Sequence, residues 1–507
     1  MGELIILINL LNSSKFRTTQ MLDLLLGTGT QMRRLYDGIA DARIMTDEDA
    51  LEQIEELEAS VTILATVKSK LKERLSESLL LIDFTDTSAN DRQKAYLDCT
   101  KKWAAAQVMF FKNQRVLAIQ RLENLLKYTR RFEFTELSIE ILRELSLHTG
   151  SLFGDEERYK EYFGMMEEYR QLRNCEDQVE SFYTELVIGF VNSKSQKREL
   201  AEKARRFFTQ VEPKMAACQS FRFQLFSRLI QIAIYDNNND HAMLIRLCAD
   251  ALAFFEKKPY KSHSALQVFY YSLLMGHLNL RQYEECRAIA LQYRNLFQKG
   301  SYNWFKWHEL HLMCELHAGM YESAAEIWQQ VNVQLGSADV PQHIKETWMI
   351  FEAFLHFLSL GGLLSDRKLS KKFRIIKTLN DIHLANRDKS GMNIPLLILR
   401  FVFPLVERDY GQCVDREEGL AKYRTRYLKP EDAARSHYFF KMLELIPRSS
   451  FDPETIINSA RPHLEKLKTI PIEAANQNLE VEVIPYETLW DILVGLLQNA
   501  SVMRVSA

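Results

Sequence analysis

The stretch Cys314–Trp328, "CELHAGMYESAAEIW", decides how the chain is read. Taken alone it is one helical turnaround: a helix ends at Gly319, Tyr321 follows, then Ala324, then Trp328. Each residue has a physical task. Glycine adopts the left-handed backbone in which a helix can stop and the chain reverse. Tyr321 packs back on the helix just ended, and Ala324 leaves no bulk where two helices cross closely. The same order recurs one unit earlier, in "LLMGHLNLRQYEECRAIALQY", with Tyr283, Cys286 and Ala290 in those places, so that Tyr283 to Tyr321 is a step of 38 residues. Weaker echoes put the close-crossing residue at Ala118, Tyr162, Ala204, Leu244, Cys286, Ala324 and Leu369, at steps of 38 to 45 residues. A period near 40 built from two helices is the mark of stacked hairpins.

Composition agrees with a helical array. Of 507 residues 47% are hydrophobic and 26% charged, the balance of a folded chain and not of a disordered or membrane one. A single compact core stops growing at roughly 250 to 300 residues, so this chain holds several cores or one extended one. Glycine, at 18, and proline, at 11, both fall below the usual ~7% and ~5%. The breaks that do occur, such as "DNNND" at 236–240, "QKGSYN" at 298–303 and "PRSSFDP" at 447–453, close apolar runs of helical length. No stretch sustains period-two alternation, so no sheet is expected.

A formal net charge of −2 and a pI of about 6.7 give no overall pull toward nucleic acid or acidic lipid. Seven cysteines stand singly with no CxxC pair, which reads as thiols in a reducing compartment. The N-terminus "MGELIILINLLNSSKF" has no basic n-region and no cleavage site. Its apolar run, broken by Asn9, Asn12 and Lys15, is far short of the ~18 residues of a membrane span. The expectation is a cytoplasmic protein.

The first hundred residues are built differently. Thr46 is a helix N-cap followed by Asp47, Glu48 and Asp49, on the turn where the helix dipole favours negative charge. Beyond it Ile54, Leu57, Val61, Leu64, Leu71 and Leu75 form a stripe of roughly heptad period, with Lys68 at the skipped position. Two readings stay open: a coiled-coil seam joining a homodimer through the N-terminal helices, or one helix of an antiparallel bundle packed on Leu4 to Leu11 and Leu22 to Leu26.

Together these features resemble the tetratricopeptide-repeat (TPR) family. Tyr270, Leu273 and Tyr283 match its pattern in one unit, and Gly319, Tyr321, Ala324 and Trp328 in the next. The units depart from it at Leu274 and Leu312, where the family has a small residue, at His277 and Glu315, where it has an aromatic, and in a period above ~34. The resemblance implies an all-α, TPR-like α-solenoid, a right-handed superhelix of helical hairpins, over 100–467. An N-terminal helical bundle at 1–99 precedes it, and a linker with a C-terminal capping helix at 468–507 follows. It also implies a groove on the first helix of each hairpin. The family's register places that groove at Val268, Tyr271, Met275 and Asn279 in one unit, and at Lys306, Glu309, Met313 and His317 in the next. Methionine and aromatics mixed with a few polar groups suit an extended peptide. A helical N-terminal segment ahead of such repeats also resembles the bacterial peptide-sensing regulators.

Clusters that could carry chemistry are few. His308, His311, Cys314 and His317 recur every third residue, but they rotate through about 180° of helix and cannot all converge, so no metal is expected. His311 and Cys314 are expected inside the hairpin, and His308 and His317 toward the groove. "SYNWFKWHEL" puts Tyr302, Trp304, Phe305 and Trp307 within six residues, either as contacts on an inner surface or as packing between hairpins. Arg367, Lys368, Lys371, Lys372, Arg374 and Lys377 form a basic stretch that suits phosphates or an acidic peptide, or is a solvated helix face. The motifs GxxxxGK[ST], GxGxxG and GxSxG are all missing, so neither catalysis nor a cofactor is expected. The expected function is a non-catalytic scaffold or adaptor for a protein or peptide partner, without membrane contact. The alternatives are a peptide-gated regulator whose array controls the N-terminal bundle and, more distantly, a nucleic-acid-associated factor.

Overall fold

The computed structural model describes residues 1–13, 22, 25–53, 61–82, 91–192, 197–336, 340–365, 369, 379, 382, 393–470, 472 and 482–505. Among these residues the chain is all-α, with twenty-one α-helices, no strand, and one isolated β-bridge between Asp91 and Lys261. It divides into two compact units, Met1–Arg173 with Pro259–Ser262, and Asn174–Lys258 with His263–Ala507. No helix among the described residues is long and apolar enough to cross a membrane.

The first unit opens with α1 (Gly2–Ser13), α2 (Gln31–Ala40), α3 (Asp47–Gln53) and α4 (Val61–Ser78). Thr46 caps α3: its hydroxyl accepts from the Asp49 amide while the Asp49 carboxylate accepts from the Thr46 amide, a closed capping box. Of the heptad stripe, Leu64, Leu71 and Leu75 are buried in one core with Leu4, Ile8, Leu11 and Leu26, and Lys68 pairs with Asp47 at 2.6 Å. These positions are filled from within the chain, as in the bundle reading. Val61 is exposed, and Ile54 and Leu57 lie outside the described residues. Next, α5 (Arg92–Phe111), α6 (Arg115–Arg131) and α7 (Thr135–His148) pack each on the next. The division between the units falls inside α8 (Glu156–Asn192).

The second unit continues with α9 (Lys197–Val211), α10 (Phe221–Asn237), α11 (His241–Glu256), α12 (His263–Asn279), α13 (Tyr283–Tyr293), α14 (Tyr302–His317) and α15 (Tyr321–Leu335). After these come α16 (Gln342–Leu360), α17 (Asn393–Val406), α18 (Tyr410–Tyr427), α19 (Pro430–Arg448), α20 (Pro453–Thr469) and α21 (Tyr486–Val505). From α9 onward every helix packs on its successor in sequence order.

One turn recurs through both units. Asn113, Asn239, Arg281, Gly319 and Arg408 each hold a φ between 57° and 74°, two residues before a second helix begins. In each case the next amide reaches back five residues: Gln114 to Met109, Asp240 to Tyr235, Gln282 to His277, Met320 to Glu315 and Asp409 to Pro404, at 2.8 or 2.9 Å. This bond satisfies a helix-end carbonyl and reverses the chain at once. The fourth residue of the second helix is then the close crossing. Ala118, Leu244, Cys286, Ala324 and Cys413 stand there, and all are wholly buried. Cys413 is a member that the sequence pattern does not suggest. Tyr162 and Ala204 are also buried, but inside α8 and α9 at other positions, and Leu369 is buried among residues that are mostly undescribed. The turns make α5, α10, α12, α14 and α17 first helices, each paired with its successor; α19 and α20 form a further pair through Ser450 and Phe451, both at positive φ.

Candidate functional site

The groove positions fall on α12 and α14. On α12, Val268 is exposed, Tyr271 and Met275 are half-buried, and Asn279 is buried with its side-chain amide donating to the Met275 carbonyl at 3.0 Å. On α14 the same face is closed. Lys306 holds Glu309 at 2.7 Å, Glu309 is 2% exposed, Met313 0% and His317 8%. The structure therefore leaves Val268, Tyr271 and Met275 accessible and withdraws Glu309, Met313 and His317. The basic stretch Arg367, Lys368, Lys371, Lys372, Arg374 and Lys377 lies outside the described residues.

The aromatic stretch is core. Trp304, Phe305 and Trp307 are buried, Trp307 donates to the Ala290 carbonyl at 3.2 Å and stacks on Phe297 at 4.4 Å, and of the four Tyr302 alone is exposed. His308, expected at the groove, is buried instead, with Nδ1 bonded to the Trp304 carbonyl at 2.8 Å. Its ring lies 4.1 Å from the Trp304 ring, and burial pushes its pKa down to about 4. It is a neutral packing residue. His311 sits 3.4 Å from Glu315, which Arg287 also holds at 2.8 Å. Among the described residues no group of three His, Cys, Asp or Glu side chains could hold a metal ion.

What meets the face at His317 is the chain itself. His317 Nε2 donates to the Glu482 carbonyl at 2.7 Å. Burial pushes the pKa of His317 down, which keeps the ring neutral with its proton on Nε2. The Glu482 carboxylate accepts from Arg435 Nε at 2.9 Å and Nη2 at 2.7 Å, and from the Tyr486 amide at 2.9 Å. Arg435, on α19, is wholly buried, and all five of its N–H donors find acceptors. Glu482 takes two, Glu487 takes one at 2.6 Å, and the Leu467 and Ile470 carbonyls beside the end of α20 take the others at 3.0 and 2.5 Å. Burial alone would lower the pKa of the guanidinium, but the fork to Glu482 outweighs it and holds it raised.

Val483 and Ile484 are buried behind this pair. Tyr486 then lays its ring flat on Phe439 at 4.3 Å and shares a hydrogen bond with Ser436 at 2.8 Å. Helix α21 packs on α20, as a cap does, and also on α17. Its Ile492 comes so close to Gly361, at the end of α16, that a Cβ there would lie 2.9 Å from Cγ2. Residues 482–492 thus touch α14, α19 and the end of α16, and the helix they lead into packs on α17 and α20. In the sequence their signal is the acidic, apolar, proline and aromatic run "EVIPYE", which has no helical stripe. Arg435 gives no such signal, because an arginine on a helix ordinarily reaches solvent. Comparison of the chain with protein-family models, with curated proteins and with solved structures found no match.

Proposed function

We propose that the chain is a non-catalytic binding scaffold, a TPR-like α-solenoid of the cytoplasm that holds an extended segment of a protein partner along the face made by its first helices. One observation carries the reading. That face already accommodates a non-helical segment, Glu482–Pro485, through a backbone carbonyl, a buried carboxylate and two apolar side chains. A further stretch of the first-helix surface stays accessible at Val268, Tyr271 and Met275. Methionine there supplies adaptable apolar contact, and tyrosine adds a hydroxyl that can fix register. Helices packed in series keep such a platform preformed, so that binding mainly costs the segment its own freedom.

The test is affinity capture from the native cytoplasm at two salt concentrations, with the wild-type chain and with Tyr271→Ala/Met275→Glu. The expected result is a stoichiometric protein that survives high salt and disappears with the double variant. A partner captured equally by both chains, or nucleic acid released by salt, overturns the reading.

A further inference from the structure

We propose that Glu482–Pro485 is an internal ligand: in cis it fills a site built for an acidic segment, and a partner segment that is to run along the first helices as far as α19 displaces it. This rests on the reading of that face as the partner surface. The cavity for the carboxylate is already lined. Among the described residues Arg435 presents a fork whose acceptors are Glu482, Glu487 and two carbonyls, and His317 presents one N–H to a backbone oxygen. When the strap leaves, Arg435 Nε, one Nη2 proton, the Tyr486 amide and the imidazole N–H lose their acceptors. A segment bearing a carboxylate, with a backbone carbonyl nearby, restores them.

The attachments differ in kind along the chain. Helix α21 buries Leu489, Trp490 and Leu493 against its neighbours and so stays docked. The four residues ahead of it hold by one histidine–carbonyl bond, one forked ion pair and the side chains of Val483 and Ile484. Glu487 sits on α21, keeps its bond to Arg435 when the strap leaves, and is partly open to water at 23% exposure. The cation is therefore never stripped of charge compensation during exchange, which removes the main barrier to opening a buried ion pair. Covalent attachment gives the strap an effective concentration in the millimolar range, so a competitor meets a largely filled site. The accessible Tyr271 and Met275 supply first contacts that do not require the strap to move.

The experiment uses the full-length chain and a fluorescent peptide of residues 479–485, LEVEVIP. Against wild type the peptide binds weakly. Against Glu482→Gln, whose own strap has lost its ion pair, it binds at least tenfold more tightly, and a peptide carrying Gln at the same place loses that gain. Equal binding to both chains, or to neither, overturns the proposal. Hydrogen exchange on the unmodified chain tests it without a variant: the Tyr486 amide, which donates to the Glu482 carboxylate at 2.9 Å and loses that acceptor when the strap leaves, exchanges at least tenfold faster than the amides of Leu312 and Met313 in α14. Matching rates mean that the strap opens only when the unit unfolds, and overturn the proposal as well. A captured partner that depends on Tyr271 and Met275 but gains nothing from Glu482→Gln sinks the strap alone, whereas one indifferent to all three sinks the scaffold reading.

Discussion

Helices α12 and α14 carry the same register and meet opposite fates. On α12 the residues Val268, Tyr271 and Met275 reach solvent; on α14 Glu309 and Met313 are buried, and His317 is bonded to a residue 165 positions away. Register decides which side chains share a face. Whether that face is open depends on what the rest of the chain lays against it, and that information is not local. A groove copied from one hairpin to the next by pattern alone is therefore a statement about direction, not about access.

The difference is broken most forcefully at Arg435. Arg435→Ala strands the Glu482 carboxylate in a buried site and takes from the Leu467 and Ile470 carbonyls the guanidinium donor they share, the Leu467 carbonyl keeping only the Ile470 amide. Removing one member of a buried ion pair costs about 3–5 kcal/mol. Tyr271→Ala, at a half-buried position on α12, is expected to cost under ~1 kcal/mol. Urea midpoints of the two variants measure the contrast. A cost for Arg435→Ala as small as that for Tyr271→Ala would mean that the ion pair does not hold the closed part of the face.

The next effect concerns protons. Glu352, on α16, makes no hydrogen bond or ion pair with any described residue, and burial raises its pKa to about 7. Burial lowers that of His308 to about 4, a displacement of the same size and opposite sense. Folded Glu352 binds its proton more tightly than unfolded Glu352, so its contribution is full at low pH and is lost as pH rises toward 7. Folded His308 binds its proton less tightly, so its contribution is full above about 6.5 and is lost as pH falls toward 4. Between about pH 4.5 and 6.5 the two slopes cancel, while the depressed pKa values of His317, His437 and His463 each add a rise of stability with pH and the raised pKa of Asp491 opposes it. Glu352→Gln removes the slope that opposes that of His308. Stability of the variant then climbs across that window by roughly 2–3 kcal/mol more than that of wild type, and the variant is the more stable chain at pH 8. Denaturation midpoints from pH 4.5 to 8 check it, and parallel curves would show that Glu352 ionises freely.

How much of this could be read in the sequence follows from the range of each signal. The hairpins were legible because a helix, its stop and its crossing residue lie within about twenty residues, as Gly319, Tyr321 and Ala324 do. The N-cap at Thr46 and the intramolecular packing of Leu64, Leu71 and Leu75 were legible for the same reason, the latter as one of two readings. Burial was less so: consecutive aromatics at Trp304, Phe305 and Trp307 all found cover, because α14 is covered on nearly every side. The Glu482–Arg435–His317 cluster was not legible at all, since its members are separated by 47 and 118 residues and belong to no pattern.

The turn itself offers the finest comparison, because one geometry is built from different residues. Gly319 holds φ 74° at little cost, whereas Arg281 holds φ 57° with a Cβ that disfavours it. Yet both turns carry the same back-bond, Met320 to Glu315 and Gln282 to His277, at 2.8 and 2.9 Å. The fold therefore imposes the conformation at Arg281, and the strain is carried there. Arg281→Gly removes it, at the expense of a more flexible unfolded chain, and is expected to change stability by no more than about 1 kcal/mol, in the stabilising direction. Gly319→Ala adds the same strain to α15's turn and is expected to lose about 1 kcal/mol, with nothing within 4 Å of the new Cβ to add a clash. Thermal melting of the two single variants and of the pair checks this. Opposite shifts that add in the double variant mean that the turns are independent copies of one element, while a shared sign means that hairpin context outweighs backbone preference.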